Sequence, residues 1–244
     1  MWEDGAVSIR SIAVIPARGG SKRIPRKNLR YFRGKPILAY AVELARSAGC
    51  FDEIVITSDD AEIRQVALDC GATFAVLRAE TLADDLTPLV PVVADAVREV
   101  SRQLDSRFQL ACCLYATAPM ASASDLLEGL RVMTTQRCDY ALSVAAFPAP
   151  IERSFLRQDS GFIEMRSPDE YTTRSQDLPV TYFDAGQWCW GTTESWLDEK
   201  PMLGADSQGV VVPSWRVCDI DTLEDWRRAE LLAELVASSE QIGT

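Results

Sequence analysis

Nine of the 25 Lys and Arg residues fall between residues 5 and 42, a stretch with no Asp or Glu. The rest of the chain is strongly acidic, with 36 Asp and Glu overall and a net charge of −11. At the centre of the basic stretch, an apolar run (12–16) breaks into Ala17-Arg18-Gly19-Gly20-Ser21-Lys22. Two adjacent glycines let a backbone approach an anion closely and offer it several N–H groups. Arg18 can grip phosphate oxygens in bidentate fashion, and Lys22 supplies a mobile point charge. A polyanion is the ligand such a loop suits, and triphosphate is the natural candidate. The P-loop is excluded, because Gly34-Lys35 is followed by Pro36 and Leu29 stands where that motif needs glycine. No G-x-G-x-x-G follows the apolar run, so a dinucleotide fingerprint is absent.

A second set of chemically capable residues is Asp219 and Asp221. In an extended segment, residues two apart project to one side, so both carboxylates can reach one ion. Mg²⁺ takes one or two carboxylates and completes its shell with phosphate oxygens and water. The same acids would also suit the N-terminal dipole of a following helix, and local pattern leaves both readings open. The chain has no histidine, and its seven cysteines show no C-x-x-C spacing, which argues against a Cys/His zinc site and an imidazole base. Reduced, mostly buried thiols in a cytoplasmic protein are expected. The first eight residues show no signal-peptide pattern, and no apolar run is long enough to span a membrane. The acidic balance argues against nucleic-acid and membrane-surface binding.

The elements that must position these residues alternate between strand and helix. Strands are expected at 11–16, 53–57, 73–77, 109–115 and 140–146, with further ones at 186–190 and 210–212. Helices are expected at 36–48, 60–70, 87–104, 124–136 and 222–237, the last with Thr222 as N-cap and Asp225 at N3. Apolar rather than alternating strands imply a mostly parallel sheet covered by helices on both faces, an α/β fold. The loops at 17–35, 58–60, 78–87 and 115–122 then converge at one sheet edge, where ligands bind. Residues 147–185, rich in Pro, Arg, Asp and Ser, read as an insertion within one domain spanning 1–244.

The stretch IPARGGSKRIPRKN resembles the signature of the acylneuraminate cytidylyltransferases, or CMP-sialic acid synthetases. SDD at 58–60, LRAETLADD at 77–85, LYATAPM at 114–120 and DIDTLEDW at 219–226 fit the same family in order, covering about residues 11–235. FPAPIERSF (147–155), TRSQDLP (173–179) and FDAGQWCWG (183–191) are similar to the pseudaminic acid branch. Where the N-acetylneuraminic acid enzymes have QPTSP, this chain has Tyr115-Ala116-Thr117-Ala118-Pro119, and Phe183 stands where many relatives carry histidine.

The resemblance implies a Rossmann-like nucleotide-diphospho-sugar transferase fold and transfer of CMP from CTP to a nonulosonic acid. Pseudaminic acid is the first choice; N-acetylneuraminic, legionaminic or an eight-carbon acid is the alternative. A glycosyltransferase and an idle nucleotide-binding protein are rivals from other classes. The resemblance places Ala17, Arg18, Gly19, Gly20, Ser21, Lys22, Asn28 and Arg78 at the nucleotide, with Arg18, Lys22 and Asp221 catalytic. Asn28 can read cytosine or close its own loop. Mg²⁺ falls to Asp219 and Asp221, and the sugar acid to Tyr115, Thr117, Arg174, Gln176, Asp184 and Gln187. An ion pair between Arg174 and Asp177 is the plainer reading of that loop. The 147–185 segment is expected to reach across a homodimer.

Overall fold

The computed structural model describes residues 9–84 and 86–242. Residues 1–8, read above for a signal pattern, and Asp85, the end of the LRAETLADD stretch, lie outside the described residues.

The chain opens with β1 (Ser11–Pro16), whose residues Ile12 to Ile15 are wholly buried. A small hairpin, β2 (Tyr31–Phe32) and β3 (Lys35–Pro36), leads into α1 (Ile37–Ala48), which stops where Gly49 takes a left-handed φ of 63°. Next come β4 (Glu53–Ser58), α2 (Ala61–Asp69) and β5 (Phe74–Leu77). Asp60 caps α2 by accepting from the Glu62 and Ile63 N–H groups. Then follow α3 (Leu89–Leu104), β6 (Leu110–Leu114), α4 (Ala123–Thr135) and β7 (Tyr140–Ala146). After an excursion with the hairpin β8 (Phe155–Arg157) and β9 (Ile163–Met165), the chain returns as β10 (Tyr182–Thr192). It closes with α5 (Thr193–Leu197), β11 (Ser207–Val211) and α6 (Leu223–Ile242). Thr222 and Asp225 form a reciprocal cap at the start of α6, each side chain accepting from the other's backbone N–H.

Seven strands make the central sheet, in the order β11-β7-β10-β6-β1-β4-β5. All neighbours run parallel except β10, which is antiparallel to both β6 and β7. The expected α/β architecture is therefore present, with boundaries mostly within two residues. The strand expected at 186–190 lies within an 11-residue strand that starts inside the 147–185 segment and runs against its neighbours. A bulge between Asp184 and Cys189 interrupts its pairing with β7, and Gly186 sits in it with φ 60°.

Side-chain alternation splits the core in two. Ala13 and Ile15 face the layer that includes α1, α2 and α4; Ile12 and Val14 face the α3 and α5 side. Trp188 and Trp190 are fully buried under α4, so these aromatics are core residues. A Cβ added at Gly129 would lie 2.5 Å from the Trp188 ring and 2.7 Å from Trp190. Gly129→Val is therefore expected to cost about 1–3 kcal/mol by overpacking, measured as a lowered denaturation midpoint with an unchanged m-value.

Candidate active site

The cationic loop leaves β1 and is fastened to the next strand and helix. The buried Ala17 donates to the Thr57 carbonyl at 3.0 Å, and the Gly19 N–H donates to an Asp59 carboxylate oxygen at 2.9 Å. A Cβ at Gly19 would meet Asp60 at 3.0 Å, whereas one at Gly20 would meet nothing within 4 Å. The first glycine permits close packing, and the second leaves the loop crest open. The Ser21 N–H donates to the Gly19 carbonyl at 3.1 Å. Two N–H groups of this stretch are thus engaged by protein acceptors, one on Asp59 and one within the loop. Asn28, 5% exposed, donates from Nδ2 to the Arg18 carbonyl at 2.9 Å and so closes the loop. Arg26, at a left-handed φ of 52°, pairs with Asp60 at 3.0 Å and Glu62 at 2.7 Å.

Beneath the loop lies Arg78, 6% exposed, donating from Nη2 to the Thr57 carbonyl at 2.9 Å. Its Nε is buried with no hydrogen-bond partner among the described residues. Burial draws its pKa down, Asp59 opposes that, and Arg18 adds to it. Arg78 is thus a buried cation within electrostatic reach of the cationic loop.

A cavity of about 160 Å³ opens where these parts meet the end of β6. Arg18, Ser21, Lys27 and Asn28 line one side, and Tyr115, Ala116 and Thr117 the other, with Leu89 and Cys113 also in its wall. Loops 17–35 and 115–122 therefore converge as expected, together with the start of α3. Gly19, Gly20, Lys22 and Arg78 stand outside the cavity wall; Gly20 and Lys22 are exposed. The Tyr115 phenol is pushed up by burial first, then by Cys113 and Asp184, with Asp219 adding to the effect. It is a hydrogen-bonding hydroxyl, not an anion, at any physiological pH.

Of the other residues assigned to the sugar, none lines this cavity. Asp184 accepts from the Gly186 N–H at 2.8 Å and stabilises the bulge. Gln187, 3% exposed, donates from Nε2 to the Arg216 carbonyl at 2.8 Å, and its backbone carbonyl accepts from the Tyr115 N–H at 3.0 Å. Arg174 and Asp177 form an exposed ion pair at 2.7 Å, with Gln176 in the same short turn. Phe183 packs against Phe147, ring centroids 5.0 Å apart.

Asp219 and Asp221 follow a buried Val217 and flank a buried Ile220. Asp221 pairs with Arg23 at 2.8 Å and with Lys27 at 3.5 Å, and Lys27 also donates to the Ile220 carbonyl at 2.6 Å. Asp219 is exposed, and the surrounding protein, followed by the Asp221 charge, pushes its pKa up. The sequence reading missed Arg23 and Lys27. The basic stretch announced their charge, but nothing in it says which cations turn toward the far end of the chain.

A family model described as cytidylyltransferase matches residues 12–183. The chain is 39% identical to the pseudaminic acid cytidylyltransferase of Campylobacter jejuni strain 81-176, over 92% of this chain and 96% of that protein. It is 29% identical to the CMP-N,N'-diacetyllegionaminic acid synthase of Legionella pneumophila, over 93% of this chain and 97% of that protein. Among solved structures, CMP:2-keto-3-deoxy-manno-octonic acid synthetase complexed with CTP superposes with a TM-score of 0.68. That likeness spans 93% of this chain and 99% of the other at 18% identity, and it speaks to fold alone. With the family model spanning most of its length and a near full-length relative at that identity, the chain belongs to the cytidylyltransferase family.

Proposed function

We propose that this chain transfers CMP from CTP to a nine-carbon 2-keto sugar acid, pseudaminic acid, and releases pyrophosphate. The observation that carries the reading is the near full-length identity to a pseudaminic acid cytidylyltransferase. The cavity between the cationic loop and Tyr115 to Thr117 offers a place for the reaction.

In the reaction a sugar hydroxyl oxygen bonds to the α-phosphorus of CTP, and the bond from that phosphorus to the bridging oxygen of pyrophosphate breaks. Positioning and charge neutralisation supply the catalysis, with little covalent work for the protein. Arg18 and Lys22 take up the negative charge that gathers on the departing pyrophosphate, and Ser21 adds a hydroxyl beside Arg18. Asn28 keeps the loop in shape, and Arg78 adds positive potential from below. Tyr115 and Thr117 present hydroxyls to the sugar acid. With no histidine in the chain, the hydroxyl proton passes to a carboxylate or to solvent.

Asp219 and Asp221 fit a Mg²⁺ site that phosphate oxygens complete. The Asp219 carboxylate makes no hydrogen bond or ion pair among the described residues, and desolvation, then the Asp221 charge, raises its pKa against the opposing pull of Lys27 and Arg23. Bound there, Mg²⁺ would neutralise phosphate charge and make the attacking hydroxyl more acidic. A homodimer is the assembly we favour. The 147–185 segment exposes Phe155, Leu156, Phe162 and Ile163 around its hairpin, an apolar surface that a second copy would cover. A cytoplasmic setting agrees with seven free cysteines. No helix among the described residues is long and apolar enough to cross a membrane.

The test is pyrophosphate release from CTP with a panel of sugar acids. Release with pseudaminic acid in clear preference to the others is expected. Release with N-acetylneuraminic or legionaminic acid alone would sink the sugar assignment and leave the enzyme class standing; no release with any acid would sink both.

A further inference from the structure

We propose that Arg216 is a positioning residue for the reaction, a strut that sets where Asp219 and Asp221 stand relative to the cavity. The inference rests on the reading of those two acids as the metal carboxylates.

Arg216 ends the short turn Ser214–Arg216, three residues before Asp219. Its guanidinium Nη2 lies 2.7 Å from an Asp125 carboxylate oxygen, with side chains only 15% and 18% exposed. The contact is an ion pair without an aligned hydrogen bond to that oxygen. Asp125 sits in the first turn of α4, its N–H fixed by the Ser122 hydroxyl at 3.2 Å. Helix α4 follows directly on the 115–122 loop whose first residues line the cavity. The Arg216 carbonyl receives Gln187 Nε2, and the Gln187 carbonyl receives the Tyr115 N–H. Side chain and main chain of one residue thus tie the acidic segment to both ends of the 115–122 loop, whose first residues line the cavity. At the far end of the segment, Ile220 is buried with Ile24, Phe32 and Trp226, and its carbonyl is held by Lys27. Asp219 is strung between the two anchors.

A largely buried ion pair is weak evidence for stabilisation, since desolvation offsets most of its attraction and an apolar pair serves stability as well or better. What it can supply is a fixed placement, and the chain between Arg216 and Ile220 has no helix or strand of its own to provide one. Gln187, assigned to the sugar from sequence, also joins this strut through its Nε2 contact to the Arg216 carbonyl, while its Oε1 is buried without a hydrogen-bond partner among the described residues.

The experiment compares wild type with Arg216→Gln, Asp125→Asn, their double variant and Asp219→Asn. Binding of Mn²⁺ is read by electron paramagnetic resonance with CTP present and no sugar, alongside hydrogen exchange over 217–222 and thermal melting. Arg216→Gln and Asp125→Asn should each weaken Mn²⁺ binding about tenfold, as loss of an orienting partner does at metal sites. Exchange over 217–222 should rise in both, and the double variant should be no weaker than either single, since both remove one contact. Wild-type Mn²⁺ binding by Arg216→Gln and Asp125→Asn, with binding lost in Asp219→Asn, would overturn the strut and leave the metal reading intact. Additive losses in the double variant would likewise overturn it. Wild-type binding by Asp219→Asn would instead remove the metal reading, and the strut with it. If Arg216→Gln does not fold, Asp125→Asn carries the same comparison.

Discussion

Lys22→Ala is expected to lower kcat by roughly two to three orders of magnitude, the scale of losing one preorganised charge donor at a reacting group, with no change in melting temperature. Lys22 is exposed and stands just off the cavity wall, on the open crest that begins at Gly20, so its removal leaves the core untouched. On the proposed mechanism its charge acts when pyrophosphate departs and charge accumulates on the leaving oxygens. Steady-state turnover with saturating CTP, set beside a thermal melt, checks both halves. Turnover near that of wild type would remove Lys22 from the phosphate site. Lys27→Ala makes an instructive contrast. Lys27 lines the cavity but also holds the Ile220 carbonyl and stands beside Asp221, so its loss should reduce rate and stability together.

Asp221→Asn should lower the rate on the order of a hundredfold and raise the Mg²⁺ concentration that half-saturates turnover. One oxygen of Asp221 meets Arg23 and the other faces Lys27, so the neutral amide also leaves two cations undercompensated beside the phosphate site. A metal titration identical to wild type would place the ion elsewhere. Asp219→Asn should also depress the rate, yet melt no lower than wild type when metal is chelated. The fold raises the Asp219 pKa, so the charged form is disfavoured in the folded state above that pKa, and the penalty fades as pH falls through it. The amide removes the penalty, and any advantage it gives in melting should shrink on acidification.

Much of the architecture was legible because the long strands and helices announce themselves twice, by apolar pattern and by their ends; the short hairpins β2–β3 and β8–β9 and the five-residue α5 carry too little pattern to be read. Thr222 with Asp225, and Gly49 in its left-handed conformation, mark helix limits that a reader of the chain can place. The direction of β10 was not legible. Trp188, Cys189 and Trp190 make an apolar run that fits a buried strand of either sense, and direction is decided by where the 147–185 excursion re-enters the sheet. The site divides in the same manner. Net charge and glycines singled out the loop at 17–22, but not that the Gly19 N–H would bond to Asp59 and the Ser21 N–H to the Gly19 carbonyl. Partners distant in sequence, such as Lys27 with Ile220 or Gln187 with Arg216, leave no periodicity to read.

The reversed sense of β10 has a consequence for how this sheet can accommodate change. Ala146 ends β7 and pairs with Tyr182, so the excursion departs and returns at neighbouring points on one rim. That rim carries Tyr115 and the cavity, because Trp188 pairs with Leu114 and the start of β10 runs past the end of β6. A parallel strand would have delivered the returning chain to the opposite rim. The intervening residues therefore form a cassette with both hinges on the rim that holds the cavity. Its length and chemistry can therefore vary at that rim while the strand pairing of β7 with β10 below it is kept.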